Sequence, residues 1–347
     1  MTQFTRRQML VGTTATAFAA VIPFDASPPA RAAAPSVGKQ APGFYRYKVG
    51  SIEVTVVADG INRVPLTDAF VLNAKKDEVN AALAAAFMEK DILVAPYNPI
   101  VVNTGAKLAV IDTGTGEAAY STSQGANGQF LINLAAAGID ANTVDAVIIS
   151  HYHGDHINGL LKIDNSLAFP NAEILVPAAE HKYWMDDGEM SRASTPRIEG
   201  LFKNIRRVMR GEVLKRLRTY KWDQEVIPGV TAVGTPGHSP GHTSHIVTSG
   251  ASKVFVQGDL THAPFLFVRN PGWHPFFDHD PMQAEAMRRK VYDMLVAEKM
   301  LVQGIHYPFP ALAHVEKTAT GYREIPVAWN PTINFFGLPW FVGALVA

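Results

Sequence analysis

Short runs of apolar residues recur along the chain, and most are rich in valine and isoleucine. Runs of this length and composition, bounded by glycine, proline or aspartate, predict β-strands. Asp59-Gly60, between the first two runs, is a typical hairpin turn and predicts that these two strands pair. The predicted strands span residues 52–58, 61–65, 99–104, 108–112, 144–150, 172–176, 230–234, 253–257 and 301–305.

Other segments have the composition or spacing of helices. Residues 77–89 are rich in alanine, and residues 129–137 have apolar positions at helical spacing before Gly138. Strands that alternate with helices predict an α/β fold. The composition of residues 178–220 predicts further helices and loops. The simpler interpretation is that this segment is a surface insertion. The alternative is that Trp184 and Phe202 form part of an apolar wall of a substrate pocket.

Composition narrows the range of functions. The chain has 347 residues with 47% hydrophobic content, enough for a substantial core. Its 31 basic and 31 acidic residues balance, and no basic stripe is visible, so we expect no nucleic-acid partner. The absence of cysteine excludes disulfides, thiolate nucleophiles and cysteine-ligated zinc, which leaves histidine and aspartate for metal chemistry.

Residues 1–34 resemble a twin-arginine export signal, so we do not expect them to be part of the fold. Arg6-Arg7 precedes a moderately apolar stretch, and small residues at 30–34 predict cleavage after Ala32 or Ala34. An anchor helix is the alternative, but the apolar run is shorter than the roughly 20 residues that a membrane span needs. We therefore expect a periplasmic or secreted protein without a stable membrane span, whose folded domain covers residues 35–347.

A dense group of potential metal ligands follows the predicted strand 144–150. His151, His153, Asp155 and His156 lie within six residues, and imidazole and carboxylate suit zinc and similar divalent ions. A solvated polar loop would be the simpler explanation for one histidine, but packing gives no reason to gather four such groups at a strand end. Gly154 allows a sharp turn, so the groups on either side of it project toward different points. This arrangement indicates two metal ions side by side.

Three later loops add ligands of the same kinds, each directly after a predicted strand. A loop rich in glycine and proline, residues 235–243, contains His238 and His242. Asp259 follows the strand 253–257, and His306 follows the strand 301–305. Loops at strand ends are common locations for active sites.

These motifs resemble those of the metallo-β-lactamase superfamily, and most closely its methyl parathion hydrolase and lactonase group. The resemblance covers most of the chain after residue 41, and it implies an α/β fold of the αββα sandwich type. The dimetal site of this fold lies at one edge, between the two sheets, and many members are dimers, so we expect a homodimer. Besides the ligand motifs, the segments that carry the resemblance are residues 42–46, 59–60, 102–105, 167–172, 306–310 and 321–323.

The same resemblance implies a ligand set for two divalent metal ions, with zinc expected. Asp259 would bridge the ions, His242 would orient a neighbouring residue, and Asp112 would shape the site without binding metal. Two ions about 3.5–4 Å apart can lower the pKa of a shared water toward roughly 7, so a bridging hydroxide would be the nucleophile. One ion would be held by His151, His153 and His238, and the other by Asp155, His156 and His306.

The family activities include hydrolysis of lactones, aryl esters and organophosphate triesters. This chain departs from the organophosphate-degrading members at His262, where an aliphatic residue is expected, and in the aromatic loop 263–281. Both departures favour a lactone or ester substrate in a hydrophobic pocket. A phosphotriesterase and a non-catalytic periplasmic binding protein are the alternatives.

The roles expected from this interpretation fall into two sets. The residues expected to act in catalysis are Asp155, Asp259 and His262. For His262, which would contact the substrate carbonyl or the leaving group, the alternative is that it only orients a neighbouring ligand. The residues expected to line the substrate pocket are Trp184, Phe202, Phe265, Phe267 and Trp273, and the aromatic loop also contains His274, Phe276 and Phe277.

Overall fold

A computed structural model describes residues 36–333. The predicted export signal and its cleavage sites, residues 1–34, lie outside the described residues. No helix within residues 36–333 combines the length and the apolar character that crossing a membrane requires.

The described residues form sixteen strands and nine α-helices. The strands are β1 (Phe44–Val49), β2 (Ile52–Val57), β3 (Gly60–Pro65), β4 (Ile92–Tyr97), β5 (Ile100–Asn103), β6 (Leu108–Ile111), β7 (Ala146–Ile148), β8 (Glu173–Pro177), β9 (Leu217–Tyr220), β10 (Glu225–Ile227), β11 (Val230–Gly234), β12 (Thr243–Ser249), β13 (Ser252–Val256), β14 (Leu301–Gln303), β15 (Leu312–Lys317) and β16 (Tyr322–Pro326). The helices are α1 (Lys76–Ala85), α2 (Glu117–Thr122), α3 (Phe130–Ala136), α4 (Gly154–Ile157), α5 (Ala178–Trp184), α6 (Asp187–Ser191), α7 (Pro196–Val208), α8 (Glu212–Arg216) and α9 (Pro281–Glu298).

Most strands belong to two seven-stranded sheets. The first has the order β1-β2-β5-β6-β7-β8-β9, and the second has the order β10-β11-β12-β13-β14-β15-β16. In the first sheet β6 to β9 run parallel, and in the second only β13 and β14 do. Parallel strands are usually covered on both faces, in agreement with the continuous apolar run that predicts β7.

Three apolar clusters define the layers. One lies between the sheets and contains Val54 from the first sheet and Val247 from the second. Another packs α7 against the outer face of the first sheet, and a third packs α9 against the outer face of the second. The order helix, sheet, sheet, helix confirms the predicted αββα sandwich.

The strand pair around Gly105 is confirmed, because β5 and β6 are antiparallel neighbours. The hairpin predicted at Asp59-Gly60 is wrong, since β2 pairs with β1 and β5 whereas β3 pairs with β4 in a separate ribbon. The Asp59 carboxylate is buried and accepts hydrogen bonds from the backbone N–H groups of Thr115 and Phe130, each at 2.9 Å. Asp59, which resembles part of a local turn in the sequence, therefore makes long-range hydrogen bonds instead.

Candidate metal centre

The first ligand loop is positioned by β7, whose three residues are all buried between β6 and β8. His151 and His153 follow it in non-helical backbone, and His153 is the N-cap of α4. Asp155 and His156 lie in the first turn of that helix. The change from extended to helical backbone therefore directs the two pairs of side chains toward different points.

Four buried residues form the group that we call the first ligand group: His151, His153, His238 and Asp259. Nε2 of His151 lies 3.0 Å from Nδ1 of His153, which lies 2.9 Å from Nε2 of His238. Oδ2 of Asp259 lies 3.2 Å from Nε2 of His238 and 3.7 Å from Nε2 of His151. Three imidazole nitrogens and a carboxylate oxygen around one point form a donor set that zinc accepts.

The second ligand group contains Asp155, His156, His306 and again Asp259. Oδ1 of Asp259 lies 3.2 Å from Nε2 of His156 and 3.0 Å from Nε2 of His306. Oδ2 of Asp155 lies 3.5 Å from each of the same two nitrogens. The side chain of Asp155 is 25% exposed, whereas the three others are at most 4% exposed.

Asp259 gives one carboxylate oxygen to each group, which is the geometry of a bridging ligand. His156 Nε2, His306 Nε2 and Asp259 Oδ1 are buried and have no hydrogen-bond partner among the described residues. Buried polar atoms are normally paired, so three unpaired ones facing a single point fit a bound cation. Burial alone would raise the pKa of Asp259, but the charges of His156 and His306 hold that pKa well below its usual range. An anion among imidazoles is the environment that a pair of divalent ions requires.

Two further side chains orient the ligands. Asp112, held at a φ of 61°, accepts a hydrogen bond from His156 Nδ1 at 2.9 Å and another from Ser150 N at 2.8 Å. His242 Nε2 accepts the backbone N–H of Asp259 at 2.9 Å, while Nδ1 of His242 lies 3.0 Å from the carbonyl oxygen of Thr235. Hydrogen bonds of this kind fix the tautomer and the direction of a ligand. The structure gives both residues the orienting positions expected from the sequence.

A buried ion pair behind His238 was not predicted. Asp278 Oδ1 accepts a hydrogen bond from His238 Nδ1 at 2.9 Å, and its Oδ2 lies 3.2 Å from Nη2 of Arg288. Arg288 also donates to the carbonyl oxygen of Pro271 at 2.7 Å. Its position in α9 carried a signal, because it falls in the buried stripe with Ala284, Val291, Tyr292 and Leu295. A charged residue at an apolar position of an amphipathic helix indicates a buried partner.

Glu180 links the two histidine-bearing loops and was also missed. Its Oε1 accepts the backbone N–H of Tyr152 at 2.9 Å and Nε1 of Trp184 at 2.8 Å. Its Oε2 accepts the hydroxyl of Ser239 at 2.8 Å and the backbone N–H of Gly241 at 2.7 Å. Tyr152 lies between His151 and His153, and Ser239 follows His238. One fully buried carboxylate therefore sets the spacing of three ligands of the first group.

His262 lies beside the bridging carboxylate. Its Nε2 is 3.0 Å from Oδ2 of Asp259, and its ring stacks on that of His306 with centroids 4.8 Å apart. Burial lowers the pKa of His262 to about 4, so the imidazole is neutral at pH 7. His262 lines the cavity and also contacts a ligand, so its role as a substrate contact stays a prediction beside the orienting alternative.

A cavity of about 240 Å³ opens directly onto both ligand groups. Five of the seven predicted ligands reach its surface, and much of the remaining wall is aliphatic or aromatic. The lining residues are Val64, Phe70, Leu93, Ala95, Tyr97, His153, Gly154, Asp155, Arg197, Leu201, His238, Asp259, His262, Ala263, Phe276, Phe277 and His306.

None of the five residues predicted to line the substrate pocket lines this cavity. Trp184 and Phe202 are fully buried and pack on each other in the core beneath α7, with ring centroids 4.7 Å apart. Trp184 stands behind His153, so it supports a ligand and does not contact substrate. Their aromatic character serves the packing of the helices on the first sheet.

The aromatic loop contributes different residues from those expected. Phe267 is fully buried, and Trp273 packs against the same apolar cluster. Phe265 lines a separate surface hollow beside Phe87. A π-helical turn at Ala263–Val268 places Phe265 and Phe267 away from the cavity, and Phe276 and Phe277 line it instead. The aromatic composition identified the loop, but the spacing of its residues did not show which of them line the cavity.

Comparisons with known proteins agree with this geometry. The family described as the metallo-beta-lactamase superfamily matches residues 93–298. The N-acyl homoserine lactonase AiiA of Bacillus thuringiensis subsp. kurstaki is 26% identical over 241 residues, which cover 65% of this chain and 84% of that protein.

Two solved structures are similar over most of the described fold. One is AidC, a dizinc quorum-quenching lactonase in complex with a product, with a TM-score of 0.76 and 26% identity over 83% of this chain and 99% of that one. The other is the hydrolase AbOPH of the beta-lactamase superfamily, with a TM-score of 0.77 and 26% identity over 84% of this chain and 100% of that one.

The relatives named above are hydrolases, which sets aside the alternative of a non-catalytic binding protein. The dizinc neighbour and the two histidine–aspartate groups together define a site for two divalent metal ions, with zinc as the metal of that neighbour. The family match over more than half of the chain shows that it belongs to the metallo-beta-lactamase superfamily, as a metal-dependent hydrolase.

Proposed function

We propose that the protein hydrolyses the ester bond of a lactone, with an N-acyl homoserine lactone as the first substrate to test. The observation that carries the proposal is the bridging carboxylate of Asp259 at the base of a small, mostly apolar cavity. Such a cavity suits a compact, uncharged ring with an acyl chain.

The residues of the chain have separable roles in this reaction. Two bound divalent ions would supply Lewis acidity and an activated water. Asp259 holds the two ligand groups at a fixed separation, and the apolar wall excludes bulk water from them. His262 presents a neutral imidazole at the cavity surface, where it contacts the carbonyl or the leaving oxygen of the opened ring.

The relatives support the choice of substrate class. AiiA is named as an N-acyl homoserine lactonase, and AidC was solved with the product of such a reaction. Sequence identity of 26% is too low to transfer an acyl-chain preference from these relatives, so we argue the preference of this protein from its own lining residues. Phe70, Phe276 and Phe277 form an aromatic side of that wall, with Phe70 and Phe276 centroids 5.5 Å apart. We therefore expect substrates with an apolar acyl chain.

The test is kcat/KM of the zinc-loaded protein on matched panels of lactones, aryl esters and methyl-parathion-type triesters. We expect lactones to be preferred by two or more decades, about 2.7 kcal/mol in transition-state binding. A preference for triesters of the same size would overturn the proposal and favour a phosphotriesterase. Ester hydrolysis without lactone hydrolysis would restrict the activity to open-chain substrates.

We also propose export by the twin-arginine pathway, on the strength of the Arg6-Arg7 motif and the small residues at 30–34. The full-length chain should be recovered from the periplasm or medium with its N-terminus cut after Ala32 or Ala34. Replacing both Arg6 and Arg7 with lysine should retain it in the cytoplasm uncut. An unchanged distribution and an intact N-terminus in both forms would count against export.

We further propose that the protein is a homodimer, as many members of the resembled group are. Phe87 is 99% exposed at a φ of 56°, on a surface hollow that also includes Met88 and Pro308. Phe265 and Pro264 border the same hollow, and contiguous exposed apolar surface is a common feature of subunit contacts. Sedimentation should give a dimer for the wild type and a shift toward monomer for Phe87→Asp. A monomeric wild type at micromolar concentration would contradict the proposal.

A further inference from the structure

One cation interrupts the apolar wall of the cavity. Arg197, in the first turn of α7, lines it together with Leu201, which is four residues further along the same helix face. A positive charge at a helix N-terminus opposes the helix dipole, so this position gives Arg197 no advantage for helix stability. Its location therefore calls for an explanation outside the helix.

The guanidinium is tied to the aromatic side of the cavity. Its Nη2 donates to the carbonyl oxygen of Phe277 at 2.7 Å, and its Cζ lies 5.7 Å from the centroid of the Phe276 ring. A guanidinium has five N–H donors, and the hydrogen bonds of the described residues account for one of them. The group is thus held in place with donors to spare.

No carboxylate neutralises this charge within residues 36–333. The acidic group whose charge acts on it is Asp278, but both oxygens of Asp278 are taken by His238 and Arg288. Arg197 is half-buried, and this partial removal from water lowers the pKa of its guanidinium. A partly desolvated cation with spare donors binds an acceptor oxygen more strongly than an exposed one does.

We propose that Arg197 selects substrates that carry an amide or other carbonyl oxygen beside the reacting lactone ring. This inference rests on the proposed lactone hydrolysis and deepens it. The ring would lie against the ligand groups, the acyl chain would pack on Phe276, and Arg197 would donate to the oxygen between them. A ring that bears only an alkyl chain would gain nothing from the guanidinium.

The experiment compares two lactones of similar size on the zinc-loaded enzyme. N-Hexanoyl-homoserine lactone has the amide, and γ-decanolactone lacks it. For Arg197→Met we expect KM to rise about 10- to 100-fold for the amide lactone, with kcat within about threefold and little change for γ-decanolactone. Arg197→Lys should restore part of the loss, because it keeps the charge but not the planar fork.

Arg192→Met is the matched control, since Arg192 is exposed and pairs with Glu189 at 2.7 Å outside the cavity. It should leave both substrates unaffected. An equal loss on both lactones in Arg197→Met would overturn the inference and make Arg197 only a tie between α7 and the aromatic loop. No change on either lactone would overturn it as well.

A binding measurement separates this inference from the proposed function. Calorimetry with the ring-opened products, N-hexanoyl-homoserine and 4-hydroxydecanoate, reports affinity without turnover. We expect Arg197→Met to weaken binding of the first product about 10- to 100-fold more than binding of the second. If the wild type hydrolyses neither lactone, the proposed function fails, and this measurement still tests Arg197. Equal weakening of both products would contradict its selectivity.

Discussion

The two ligand groups share Asp259 but are supported differently. In the first group every ligand is buried, Asp278 is hydrogen-bonded to His238, and Glu180 holds the two loops that carry the histidines. In the second group Asp112 is hydrogen-bonded to His156, but Asp155 is 25% exposed. His306 Nδ1 there is directed by a main-chain oxygen, that of Pro96 at 2.9 Å.

This difference predicts unequal affinities. Each group has one histidine bonded to a carboxylate, His238 to Asp278 and His156 to Asp112. His306 of the second group is bonded to a neutral carbonyl oxygen, which raises the basicity of an imidazole less than a carboxylate does. Water also reaches the second group through Asp155. We therefore expect the first ion to bind more tightly and to exchange more slowly than the second.

The largest effect should follow from removing the shared ligand. Asp259→Ala takes one oxygen from each group and leaves four buried imidazole nitrogens without the anion between them. We expect kcat/KM to fall by at least about 10³-fold and the metal content to drop below two per chain. Kinetics and metal analysis by mass spectrometry check this. Two ions bound with full affinity would show that Asp259 does not bridge.

The next effect concerns the buried pair behind His238. Asp278→Ala leaves Arg288 buried without a carboxylate, which should cost about 3–5 kcal/mol in the free energy of unfolding. It should also weaken the first ion by about 10- to 100-fold. Urea unfolding of the metal-free protein and competition with a chromophoric chelator measure the two quantities.

Asp112→Ala is the matched comparison in the second group. Asp112 orients His156 through Nδ1 and, unlike Asp278, has no buried arginine as a partner, so its loss should weaken the second ion with a smaller loss of stability. If both variants weakened binding of the same ion, the assignment of Asp278 to the first ligand group and Asp112 to the second would be wrong.

Glu180→Gln tests the spacing of the two loops. The substitution keeps the shape but replaces one acceptor oxygen with an NH₂ group, which faces donors that now lack an acceptor. We expect a loss of about 1.5–3 kcal/mol in the free energy of unfolding. The first ion should also weaken by about tenfold. Glu189→Gln, on the exposed α6, should change neither. Unchanged metal affinity with reduced stability would limit Glu180 to a role in folding.

The sequence predicted those features of the molecule that depend on residues close together in the chain. A buried strand followed by histidines at 151, 153 and 156 is a pattern that can be recognised without three-dimensional information. All seven predicted ligands lie in the two groups. The same holds for the pairing of β5 and β6 around Gly105, where a short loop fixes the partner.

Contacts between residues far apart in the chain could not be predicted from the sequence. Glu180 lies 59 residues from Ser239 in sequence, and nothing near it distinguishes this glutamate from a surface one. The pocket residues failed for a related reason. Aromatic side chains are equally suited to a core and to a substrate wall, so Trp184 and Phe277 could be told apart only once the π-helical turn and the packing of α7 were known.

The smallest predicted effect is the difference between the two ions in the unmodified enzyme. Asp155 is the one ligand that water reaches appreciably, so a chelator should remove the second ion first, with a dissociation constant about tenfold or more above that of the first. Titration of the zinc-loaded enzyme should then show two phases, with activity lost in the first phase because both ligand groups border the cavity. Asp155→Asn should widen the gap between the phases, since an amide is a poorer ligand than a carboxylate but keeps its size. A single phase in both proteins would mean that Asp259 couples the two groups so tightly that their different supports no longer matter.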